Sequence, residues 1–85
     1  MKENAKKMLE AIRDFGCNHE TREMAIAVLE ARRLPFDANG LGAEELATKG
    51  ILGGFIQAVM TGDIEWARCK ADSLNRLALD MAGIK

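Results

Sequence analysis

The sequence has one histidine, two cysteines and one proline, and its charges nearly cancel: twelve Lys and Arg against thirteen Asp and Glu give a net charge of -1. Each shortage excludes something. With His19 alone, proton transfer near neutral pH or metal binding must pass through that residue or through carboxylates. Cys17, His19 and Cys69 make three ligands where structural zinc takes four, and no CxxC or HxxxH spacing pairs them. A near-neutral chain lacks the cationic excess that draws proteins to nucleic acid or anionic membranes. The balance is even along its length, at +1 for residues 1–33, -2 for 34–62 and 0 for 63–85. Long apolar runs are missing too. The longest nearly uncharged stretch, Gly50 to Asp63, has about a dozen apolar-biased residues, and a spanning helix needs about twenty.

The N-terminal residues Met1-Lys2-Glu3-Asn4-Ala5-Lys6-Lys7 mix charge of both signs and run straight into an amphipathic pattern, without the apolar core of a secretion signal. The expectation is a cytoplasmic protein with no membrane partner and with Cys17 and Cys69 as reduced thiols.

What remains is an ordinary globular mixture, with hydrophobic residues at 48% and charged residues at 29% of 85 positions. Such a length holds one small domain whose folding hides roughly 60–65% of the chain's surface, so its core is thin. Ala5, Met8, Leu9, Ile12 and Phe15 fall on one helical face, and Gly16 offers a left-handed stop. Asn18 suits the N-cap of a second helix, with Glu20 favourably placed in its first turn. That helix is expected to reach about Arg33, ahead of Pro35.

Residues 34–42 contain the proline and an Asn-Gly pair and read as a connector. A third helical stretch begins near Ala43 with Glu44 and Glu45 in its first turn, breaks near Lys49-Gly50, and resumes to about Thr61. Gly62 closes it and Asp63 caps the next. The last helix carries the clearest period, with Ile64, Ala67, Ala71, Leu74, Ala78 and Met81 in steps of three and four, ending at Gly83. With no alternating strand-like run, the chain reads as an all-α single domain of four or five helices. Two helical hairpins, 2–33 and 43–82, are joined by the connector 34–42.

The apolar surface exceeds what so short a chain encloses. Met24, Ala27, Val28, Ala31 and Leu34 make one face of the second helix, yet Ile26 and Leu29 project from the other, near Arg33. In Ile51 to Met60 only Gln57 has a polar side chain. Homodimerisation would bury the surplus. The interface candidates are Ile26, Leu29, Arg33, Phe55, Ile56, Met60 and Trp66, the last at the edge of the final helix's apolar arc and of the residue type favoured at hot spots.

Catalytic, cofactor and metal sites are not expected. Cys17 and His19 are near each other but have no evident third group, and the adjacent Glu44 and Glu45 diverge on a helix. Gly50-Ile51-Leu52-Gly53-Gly54 matches no phosphate-binding fingerprint. The segments Glu45-Leu46-Ala47-Thr48-Lys49-Gly50-Ile51 and Gly54-Phe55-Ile56-Gln57-Ala58-Val59-Met60-Thr61-Gly62 resemble the helix-turn-helix of the lambda-repressor and Cro class. The resemblance covers about 18 of 85 residues. It implies a DNA-binding regulator with Gln57 on the reading face. The Ala-to-Gly spacing is one residue short of that family's, and residues 54–62 hold no Lys or Arg for phosphates. The sequence therefore favours a small non-enzymatic protein-interaction module. It would act as adaptor, regulator or inhibitor, its partner being itself or an unidentified protein, with a DNA-binding regulator built on a degenerate 45–62 motif as the alternative.

Overall fold

The spacing of Ala5, Met8, Leu9 and Ile12 produces α1 (Glu3–Phe15), with all four side chains and Ala11 buried. The fold is taken from a computed structural model that describes residues 1–34 and 40–85. Gly16 corrects one expectation, because it is extended, at φ -67 and ψ 133, and not left-handed. Glycine is needed there for space: a Cβ would collide with the Ile12 carbonyl oxygen and lie 2.9 Å from Arg22 Cγ.

Asn18 caps α2 (His19–Leu29) as the sequence implies, its Oδ1 accepting from Thr21 N at 3.0 Å. The helix stops short of the expected Arg33. Ala31 adopts φ 55, with its N–H donating to Val28 O at 3.2 Å and that of Arg32 to Ala27 O at 2.8 Å. This is the left-handed closure usually given to glycine, which leaves two final carbonyls satisfied. Ala43 N then donates to Arg32 O at 3.0 Å, tying the next helix to the end of α2. Residues 35–39 of the expected connector lie outside the described residues.

The break near Lys49-Gly50 is a turn between α3 (Ala43–Thr48) and α4 (Gly54–Thr61), with Gly50 at φ +81 and Gly53 at φ +102. Gly62 at φ +78 ends α4, and the Asp63 side chain accepts from Trp66 N at 3.0 Å to start α5 (Ile64–Lys70). The expected single final helix is instead two. Ala71 is extended, at φ -71 and ψ 137, and the Asp72 carboxylate accepts from Asn75 N at 2.8 Å, starting α6 (Ser73–Met81). Asp72 thereby exchanges a helix-interior position for an N-cap, which its short acidic side chain favours.

Among the described residues the fold is all-α, with six helices where four or five were expected. Its core is one cluster in which Met8, Leu9, Ile12, Val28, Val59 and Leu79 are the largest enclosed side chains. α1 is central, packing against α2, α4 and α6, so the two halves of the chain share one apolar centre. Lys2 Nζ donates to Thr61 O at 3.0 Å and Asn4 Nδ2 to Gly62 O at 3.3 Å, tying the start of α1 to the α4–α5 turn. Among the described residues no helix is long and apolar enough to cross a membrane.

Candidate protein-interaction surface

Splitting the last helix resets its rotation. Once two extended residues intervene, the face that α6 turns inward is set by its own packing, no longer by the phase of α5. The inward positions are Asn75, Ala78 and Leu79, with Ala71 just before the helix. The outward ones are Leu74, Leu77 and Met81, exposed by 46%, 47% and 58%. Their spacing of three and four residues places them in one ridge. At 100° per residue the ridge is bordered by Ala78 on one flank and by Ser73 and Asp80 on the other. Arg68 holds that acidic flank, with Nη1 2.6 Å from Asp80 Oδ1 and 3.1 Å from Ile84 O.

The inward side is poorer than the outward one. Asn75 is buried with its Oδ1 lacking any hydrogen-bond partner among the described residues, a desolvation cost of about 1–3 kcal/mol. Only Leu79 contributes a large apolar side chain there. α6 thus hides Asn75, Ala78 and Leu79 while displaying two leucines and a methionine, so more large apolar side chains face out than in.

The interface candidates named from sequence fall elsewhere. Ile56 is only 2% exposed and belongs to the core, which removes it as a contact residue. It faces inward because the Gly50–Gly53 turn frees α4 to rotate independently of α3. Leu29, Phe55 and Met60 are half-buried and lean on the core, and Ile26 is half-buried as well. Arg33 is exposed, its Nη1 lying 3.2 Å from where a Cβ on Gly40 would stand. Trp66 is exposed on α5. The structure thus leaves six of the seven with some exposure, on α2, α4 and α5 and at Arg33. The ridge it does form contains Leu77, which sequence reading passed over because a continuous helix would put it off the apolar face. The signal for the break was present in Asp72-Ser73, an N-cap residue followed by a tolerated first-turn residue.

Gln57, the reading-face residue implied by the helix-turn-helix resemblance, is half-buried. Its Nε2 donates to Thr48 O at 3.4 Å, and its amide packs over Gly50. α4 buries Ile56, Ala58 and Val59, and Gly54 is its one exposed residue. His19 and Cys17 are both exposed around the start of α2, and Cys69 is exposed on α5. Among the described residues no three His, Cys, Asp or Glu side chains converge into a metal-binding group. Open grooves of about 440 Å³ beside Glu44, Glu45 and Thr48, and of about 480 Å³ beside Glu65, Arg68 and Lys85, are shallow surface features. Arg13 pairs with Asp14 at the surface, both side chains nearly half exposed. The hydrogen bond at 2.8 Å from Arg13 Nε holds the Asp14 carboxyl below its usual range.

Comparison with known proteins finds no matching family model, and neither curated proteins nor solved structures show a significant match.

Proposed function

We propose that this chain is a small non-enzymatic protein-interaction module that associates with a second copy of itself through α6. The observation that carries the reading is the reversed burial of that helix, with Leu74, Leu77 and Met81 outward and Asn75 inward. A second copy is the occupant that the charges fit. The net charge of -1 gives two copies almost no mutual repulsion. The ridge itself carries no charge, and its acidic neighbour Asp80 is already neutralised by Arg68. Two such ridges crossing antiparallel around Leu77 would set Leu74 of each against the Met81 end of the other.

Sedimentation velocity from about 5 to about 500 µM tests this, a range that brackets weak association. The expected result is a monomer–dimer equilibrium that Leu77→Glu abolishes while leaving the far-ultraviolet circular dichroism unchanged. A wild-type protein that sediments as monomer throughout refutes it.

A further inference from the structure

We propose that the second copy is held by exchange of α6: the bend at Ala71-Asp72 straightens, α5 and α6 fuse into one helix, and residues 73–85 occupy the other copy's α1 seat. This rests on the self-association just described and specifies its geometry.

The sequence supports a fused helix. From Ile64 to Ala82 there is no glycine or proline, and Ile64, Ala67, Ala71, Leu74, Ala78 and Met81 follow a strict 3-4-3-4-3 spacing, the seam of a two-stranded helical packing. The bend divides that seam, burying Ala67, Ala71 and Ala78 while leaving Leu74 and Met81 in solvent. Straightening would put all six positions back on one stripe.

The contacts specific to the bend are few. Asp72 Oδ1 accepts from Asn75 N at 2.8 Å, and Arg76 Nη2 donates to Ala71 O at 3.1 Å. A continuous helix replaces them with backbone bonds from the N–H groups of residues 72 to 75, each to the carbonyl four positions back. Exchange preserves the rest. Leu79 and Ala78 remain enclosed, now on the other copy's α1, and the Arg68 bonds to Asp80 and Ile84 form between chains instead of within one.

Area decides between exchange and simple contact of ridges. Three half-exposed side chains offer on the order of 300 Å², where a standard interface takes roughly 800 Å² from each partner. Exchange adds the whole seat of α6 on α1. That seat already fits this segment, with Leu79 fully enclosed in it. This fit identifies the occupant as a second copy of residues 73–85.

Ser73→Pro is the decisive variant. Position 73 opens α6, where proline is well tolerated, and Asp72 before it is extended at φ -73 and ψ -179, as a residue preceding proline must be. The bent form and its Asp72 cap therefore survive, whereas a proline inside a fused helix removes the bond to Cys69 O and clashes with that carbonyl. The expected result is a wild-type dimer that disappears in Ser73→Pro, whose unfolding midpoint and Trp66 emission match those of the wild-type monomer. Asp72→Ala, which removes the cap of the bent form, is expected to tighten dimerisation about tenfold. A Ser73→Pro protein that still dimerises like wild type overturns exchange and leaves ridge contact standing. An Asp72→Ala protein with no gain in dimer overturns exchange as well, and does so even if Ser73→Pro fails to fold. A wild-type chain monomeric at all concentrations refutes the association itself.

Discussion

Leu74 and Leu79 discriminate the two ways of phasing the C-terminal segment. If the apolar period of residues 64–81 ran unbroken, Leu74 would face the core and Leu79 would sit with the polar side. In the structure Leu79 is 0% exposed and Leu74 nearly half exposed. Leu79→Ala removes a fully enclosed isobutyl group and leaves a cavity beside α1, a change that costs about 2–5 kcal/mol. A chain of this length has total stability of about 4–13 kcal/mol, so mid-range values put the loss at about two-fifths of it. With a thermal shift of about 4–8 °C per kcal/mol, the melting temperature falls by at least about 8 °C. Leu74→Ala vacates a half-solvated position and gains helix propensity, so its effect stays within about 1 kcal/mol. Urea unfolding followed at 222 nm and by Trp66 emission, at concentrations below dimerisation, reads both. Equal losses, or a larger loss for Leu74→Ala, would refute the assigned rotation of α6 and with it the ridge.

Two backbone predictions are independent of that rotation. Ala31→Gly relieves the left-handed conformation at φ 55 and is expected to raise stability by about 0.5–1 kcal/mol in the same urea experiment, part of the gain being offset by the freer unfolded chain. Gly50→Ala imposes the opposite change at φ +81 and brings a Cβ to 3.0 Å from the Gln57 amide. A loss of about 1–2 kcal/mol is expected. Most of it should persist in a Gln57→Ala background, because the strain lies in the backbone; full recovery there would show it to be side-chain crowding.

The legible features were local ones. The cap at Asn18, the break at Gly50 and the Gly62-Asp63 junction each depend on one or two residues whose chemistry acts on their immediate neighbours, and all three appear as expected, the break taking the form of a turn. The errors came where packing outweighed local preference. Ala31 reads as a helix former yet ends α2 in a glycine-like conformation, because Arg32 and Ala43 connect there to the start of α3. Gly16 was read for its conformational freedom when the space beside Ile12 and Arg22 was the constraint. At Ala71-Asp72 the periodic pattern continues through the break. Helical spacing records which residues could share a face, and the competition between the Asp72 cap and a continuous helix is settled by whether α6 finds α1. The ridge was missed for that reason, and Ile56 was judged from α4 considered singly, before its neighbours covered it.

The central position of α1 has a consequence for the newborn chain. α1 is made first and α6 last, so α1's groove for α6 stays open while the intervening residues are synthesised, an interval of about 3–12 s at ordinary elongation rates. Under the proposed exchange, that open groove can take another chain's residues 73–85 before its own arrive, so intertwined pairs should form more readily during synthesis than by mixing folded monomers.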